Sequence, residues 1–316
     1  MKMLPLCVAA LSLLGACDKL PFKSGPKTAF NADSAWAYTQ AQVNFGPRVP
    51  GTAGATKAGD WIVSMMKQRA DTVIEQHWMH KTLKGDSIPL RNVLARFNVK
   101  ATQRVLYVTH WDTRPMADSD PMIGNRNDPI LGANDGAAGV GLFVALGDAL
   151  KKTPPGVGVD LLFVDGEDYG ASFDPPYADV LLGSQYFVAH LPDSTYKPMF
   201  GVLWDMIADK DLNILQEPKS IQAAPEVVTR VWEKADELGY SKFFLRAAHP
   251  YAITDDHVPF IEHGFRMIDV IDIDYGPPGA TGVLTANYHH TLQDTMEHIS
   301  KESLQIVGDV ALSLVK

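Results

Sequence analysis

The stretch LLFVDGEDYG, residues 161–170, runs as an apolar strand and then delivers Asp165, Glu167 and Asp168 within four positions. Carboxylates this close repel one another, so a buried strand that ends in them needs a hydrogen-bonded turn, a solvated loop or a cation. Other polar residues stand at matching places. YVTHWDT ends an apolar run at His110 and Asp112, VLWDMI turns polar at Asp205, and Asp135 stands in LGANDG ahead of a helical stretch. Singly, each has a structural explanation: a satisfied core histidine, a helix N-cap, a hydrogen-bonded acid at a strand end. Together, several carboxylates and an imidazole aimed into one crevice are self-repulsive without a cation, and this donor set suits zinc. One acid after the strand would then bind metal while its neighbour does chemistry. The sequence holds no H-E-x-x-H helix, paired C-x-x-C, Walker loop or G-x-S-x-G elbow, so the site must be dispersed over several loops.

The elements that carry those loops follow from periodicity. TVIEQHWM, NVLARFNV, RVLYVTHWD, VDLLFVDGE, MFGVLWDMI and RMIDVIDID are short runs rich in Val, Ile, Leu and aromatics, several too apolar to have a solvent face. DSAWAYTQAQVNF, ATKAGDWIVSMMKQRA, GAAGVGLFVALGDALKK, VLLGSQYFVAHL, PEVVTRVWEKADELG and KESLQIVGDVALSLVK read as helices. The alternation predicts an α/β three-layer sandwich, with a mixed, mostly parallel central sheet flanked by helices. Open sheets of this kind bind ligands at the carboxyl ends of their strands, where the polar residues collect.

The 316-residue chain is 46% hydrophobic with a formal charge of −9, enough for one sizeable domain. The acidic balance and the lack of any Lys/Arg run argue against nucleic acid as a partner. Lys2 precedes an apolar run from Leu4 to Leu14, too short to span a bilayer but sized for a secretory signal. It ends in Leu14-Gly15-Ala16-Cys17, which resembles a bacterial lipobox with Cys17 as the lipidated residue; an ordinary cleavage site beside a chance cysteine is the alternative. Cys7 lies in the segment removed, so a lipidated chain would have neither a free thiol nor a disulfide. Residues 1–16 are therefore expected to be a lipoprotein signal peptide, 17–32 a tether and 33–316 the catalytic domain. The expected place is the bacterial cell envelope, lipid-anchored to a membrane, on the periplasmic side in a Gram-negative host.

THWDTRP, LGANDGAAGVG, FVDGED, LWDMI, TDDHVPFIEHG and YHHTLQDT, in this order, resemble the zinc aminopeptidase and glutaminyl cyclase family, peptidase family 28. The likeness runs from Phe45 to the C-terminus, and DDHVPF followed by an apolar strand and HHT looks closest to the glutaminyl cyclase branch. The resemblance implies a zinc enzyme acting on peptide or protein N-termini, with Asp135, Asp168 and His290 as zinc ligands and Glu167 as general acid/base. His110 and Asp205 match positions that hold a second metal in the aminopeptidases, so the metal count is one or two. Asp112 matches an acid that orients His110 through a hydrogen bond. Asp255, Asp256 and His257 match a loop that lines the cyclase pocket and, with Asp205, belong to the implied catalytic set. Two positions depart from the pattern: His289 stands where cyclases often carry Trp, and Asp168 where animal cyclases carry Glu. The implied reaction converts an N-terminal Gln to pyroglutamate with release of ammonia. The alternatives are an exported two-zinc aminopeptidase and a lipoprotein that binds peptide or metal without turnover.

Overall fold

The computed structural model describes residues 28–173, 175–279 and 284–316. Two helices, α1 (Ala32–Val43) and α2 (Ala53–Lys67), lead into a hairpin of β1 (Thr72–Lys81) and β2 (Ser87–Phe97). β3 (Arg104–His110), α3 (Gly139–Lys152), β4 (Gly158–Val164), α4 (Leu182–Ala189) and β5 (Phe200–Asp205) follow. The chain continues through β6 (Ile214–Gln216), α5 (Pro218–Ala223), α6 (Pro225–Glu237), β7 (Phe244–Ala248), α7 (His257–Glu262), β8 (Met267–Ile271) and α8 (Lys301–Ser313). Caps set several helix starts: Asn31, Thr52 and Ser300 each accept a backbone N–H three residues on, worth about 1 kcal/mol apiece.

Six strands form one sheet in the order β1-β2-β4-β3-β5-β8. β4, β3, β5 and β8 run parallel, whereas β1 and β2 join antiparallel at one edge. The sheet is thus mixed and mostly parallel, as its apolar runs predict. All seven residues of β3 are buried, and alternate side chains serve two cores. Val105 and Tyr107 pack with Phe143 of α3 and Val307 of α8, while Leu106 and Val108 pack with Phe187 of α4 and Phe260 of α7. That alternation makes the three layers, and each such buried side chain stabilises the fold by about 1.5–3 kcal/mol.

Register brings the chemistry-bearing ends level. His110 pairs with Val164 across β3 and β4, and Asp205 with Ile271 across β5 and β8. Four parallel strands therefore empty their following loops onto one edge.

Several expectations need adjustment. Residues 28–32, read as the end of the tether, pack on the domain: Thr28 donates to Asp309, and Phe30 is buried against Gly308 of α8. β1 is a half-exposed edge strand rather than a covered one. α5, α7, β6 and β7 were not read from the pattern. The expected signal segment, Cys7, Cys17 and residues 18–27 lie outside the described residues. Among the described residues no helix is long and apolar enough to cross a membrane.

Candidate active site

The turn after β4 separates three acids that the sequence places side by side. Asp165 faces back into the hairpin, where one oxygen accepts the Arg91 N–H at 2.8 Å. Gly166 follows with φ +71, a left-handed conformation that glycine adopts without a Cβ penalty. Glu167 and Asp168 then project past the strand end, their backbone N–H groups both held at 3.2 Å by the carboxylate of Asp112. Asp112 is therefore chiefly a clamp on this turn. Its oxygen lies 3.6 Å from His110 Nδ1, longer than a hydrogen bond, so the expected orientation of His110 by Asp112 is weak.

Asp135 is placed by a different device. Asp294 accepts the N–H groups of Asn134 and Asp135 at 2.8 and 3.1 Å, and the Asn134 side chain ties this loop to Met206 and Ala208 beyond β5. Gly136, at φ +96, lets the backbone pass so close to Asp112 that a Cβ there would come within 2.6 Å of its carbonyl oxygen. His290 arrives from the loop before α8 with φ +56. A side chain held in the left-handed region costs about 1–3 kcal/mol and marks a position fixed by its surroundings.

These loops enclose a cavity of about 480 Å³ walled by Asp135, Glu167, Asp205, Asp255, His289 and His290 among others. His290 Nε2 lies 3.3 Å from Asp168 Oδ1 and 3.7 Å from Asp135 Oδ2. His110 Nε2 lies 3.0 Å from Asp135 Oδ1 and 3.1 Å from Asp205 Oδ1. Asp135 thus bridges two three-donor groups whose atoms lie within 4.8 Å of one another, Asp135–His289–His290 and His110–Asp135–Asp205. Asp168 belongs to neither and reaches the first only through His290. The buried oxygens Asp135 Oδ2 and Asp168 Oδ2 have no hydrogen-bond partner. Buried carboxylate oxygens are costly when unsatisfied, and a cation would satisfy both, so the residues fit zinc.

Charge separates the acids further. Burial and then the charge of Asp168 push the Glu167 carboxyl well above its usual range. Asp255 is raised in the same way by burial, Asp205 and Asp256. Burial would lower His110, but Asp205, Asp112 and Asp135 outweigh it and raise the imidazole well above its usual value. For Asp135, burial is overcome by His110 and His290, which keep it ionised. Desolvation and the charge of His290, whose ring centroid is 3.7 Å away, push His289 down to about 3, so its ring is neutral with a free lone pair.

Of the loop expected to line the pocket, only Asp255 does so. Asp256 turns away to accept from Ser184 Oγ at 2.5 Å, and His257 is fully buried between Glu217 and Asp269, 3.3 and 3.7 Å away. Three contributors escaped the sequence reading. Arg114 is buried, donates to Asp168 Oδ1 at 2.7 Å and to Gly170 O at 2.9 Å, and grips Asp118 with its other nitrogens. Asp269 sits in the middle of β8 with neither oxygen hydrogen-bonded. Glu217 caps α5 and also accepts the N–H of Ile253, a cavity wall. An acid inside the apolar run MIDVI was the available signal for Asp269.

The model of peptidase family M28 matches residues 92–315. Among solved structures, a zinc-dependent exopeptidase from Parabacteroides distasonis is 36% identical, covering 92% of this chain and 99% of that one with a TM-score of 0.84. The Bacteroides thetaiotaomicron glutaminyl cyclase, solved with N-acetylhistamine, is 34% identical over the same shares, with a TM-score of 0.84. Aminopeptidase YwaD of Bacillus subtilis is 25% identical over 285 residues, which cover 85% of this chain and 53% of that protein. The chain thus spans about half the length of that curated relative. The family match runs over most of the chain and takes in every candidate site residue from His110 to His290, so the chain belongs to peptidase family M28.

Proposed function

We propose that this chain is a zinc-dependent glutaminyl-peptide cyclotransferase that converts N-terminal Gln of exported peptides or proteins to pyroglutamate, and that it is lipid-anchored through Cys17 in the bacterial cell envelope. The observation that carries the choice is Asp255, the residue of the DDHVPF loop that stands on the wall of the same cavity as Glu167 and His290; the likeness over 92% of the chain to the Bacteroides thetaiotaomicron glutaminyl cyclase supports the same reading. One metal would be held by Asp135 and His290, with Asp168 or His289 completing the set.

Zinc bound there supplies a Lewis acid for the substrate γ-carbonyl. Glu167 takes a proton from the α-amine as its nitrogen forms the ring C–N bond, and returns a proton to the amide nitrogen as the old C–N bond breaks and ammonia leaves. No water is consumed. The raised Glu167 carboxyl matches a group that must both accept and release a proton near neutrality. Asp255, its carboxyl raised by burial, Asp205 and Asp256, stands on another wall within the same cavity. Aminopeptidase action is the second reading, favoured by the His110–Asp135–Asp205 group, whose donors also suit a metal.

Incubation of the zinc-loaded protein with a Gln-initiated dipeptide amide and a Leu-initiated peptide, followed by mass spectrometry, separates the two. Loss of ammonia from the first with neither peptide shortened is expected. Release of free leucine at a comparable rate would overturn the cyclase reading.

A further inference from the structure

A second cavity, of about 320 Å³, shares two wall residues, Ala171 and Ser172, with the catalytic one. Its other walls include Leu83 and Lys84 at the tip of the β1–β2 hairpin, Met116 from the loop after β3, and Tyr169. Both rims are pinned. Asp179 lies 2.7 Å from His80 Nε2 and accepts the Leu83 N–H at 2.9 Å, fixing the hairpin tip, and Arg114 holds Gly170 O at 2.9 Å. The space is therefore preformed rather than a gap between loose loops.

Its lining is mainly apolar, yet it opens to solvent. Leu83 is 79% exposed, while Met116 and Tyr169 are half-buried. Only six large apolar side chains of the described surface are strongly exposed, and two of them, Leu83 and Tyr251, wall these two adjoining cavities. Scattered exposed apolar residues mean little. Here they wall two cavities that meet at Ala171 and Ser172, the first of which holds the candidate metal ligands. A peptide whose N-terminus lies in the first cavity leaves it along one of its walls, and Ala171–Ser172 is the wall it shares with the second cavity.

We propose that this second cavity is a subsite for the substrate chain beyond its second residue, and that it selects an apolar side chain there. The inference rests on the reading of the site as one for peptide N-termini, but not on whether the reaction is cyclisation or hydrolysis. Lys84 stands on the rim, so glycines rather than acids are the proper comparison for an apolar pair.

The test measures binding of Gln-Ala, Gln-Ala-Gly-Gly and Gln-Ala-Leu-Leu amides to the zinc-loaded full-length Glu167→Gln protein by calorimetry. The leucine peptide is expected to bind about tenfold more tightly than the other two. Leu83→Asp should bring that ratio to about one, whereas Met79→Asp, also exposed on β1 but in neither cavity, should preserve it. Equal binding of all three, no measurable binding of any, or a ratio that survives Leu83→Asp would overturn the subsite. The same ratio read as KM in the unsubstituted protein serves if Glu167→Gln fails to fold. A protein that keeps the ratio yet releases no ammonia supports the subsite while refuting the cyclase reading.

Discussion

Glu167 and Asp168 are neighbours in the chain with opposite surroundings. Glu167 is raised and opens on the cavity, while Asp168 is held by a guanidinium and faces His290. Glu167→Gln is expected to retain zinc and fold yet lose turnover by about 10²- to 10⁴-fold. Asp168→Asn should weaken zinc instead, and added zinc should partly restore its rate; an active Glu167→Gln enzyme would sink the mechanism. His290→Ala should abolish zinc binding. His289→Ala distinguishes two roles: retained zinc with altered peptide preference makes it a wall, and lost zinc makes it the third ligand in place of Asp168. Arg114→Lys should cost about 10- to 100-fold in zinc affinity or activity, because an ammonium cannot bond Asp168, Gly170 and Asp118 together. Metal titration and steady-state rates on these variants check each outcome. His110, Asp112, Glu167, Asp168 and Asp205 are conspicuous in the sequence as polar residues at strand ends, whereas His290, in the loop before α8, is reached only through the family resemblance. Arg114 stands in THWDTRP, which carries no sign of Asp168 and Gly170, the partners 54 and 56 residues away.

Strands dominate what the pattern could show about the elements. Their continuous apolar runs reflect burial on both faces, and every long helix had its face or its caps. The elements it missed are three to six residues long, too short to display a period. Polar residues inside strands were also opaque. Asp160, fully buried in β4, accepts from Arg104 at 2.5 and 2.8 Å, from Arg96 at 3.1 Å and from the Tyr196 hydroxyl at 3.0 Å. This knot pins β2, β3 and β4 at the end of the sheet away from the cavity. Asp160→Ala leaves a buried Arg104 without its counter-charge and should destabilise the protein by about 3–5 kcal/mol in denaturant titration. Its zinc affinity should be unchanged below the transition, since the strand ends that carry the donors are not touched.

For the whole molecule, the buried acids predict how stability follows pH. Burial raises Asp256 and Asp294 to about 7 each, so the native state holds protons that the unfolded chain has already released. Their contribution is present below the ordinary carboxylate pKa and is lost as pH rises through 7. Glu217 runs the other way: burial opposes, but His257 and the α5 N–H groups outweigh it and hold the carboxyl at about 2, so its contribution is lost only in strong acid. The metal-free protein should therefore melt at a higher temperature near about pH 5 than near about pH 8. Zinc, binding the native state alone, should raise the melting temperature at the higher pH, and Asp256→Asn should flatten the slope; a metal-free protein that melts higher near pH 8 than near pH 5 would contradict this account. The attachment of Thr28 to Asp309 and of Phe30 to Gly308 has a mechanical consequence. Tension entering the chain at residue 28 meets α8 first and then α1, both on the layer opposite α4 and α7. Pulling there loads a helix pair, and because α1 packs on the Ala133–Ala138 turn that carries Asp135, the force stands one packing step from that carboxylate.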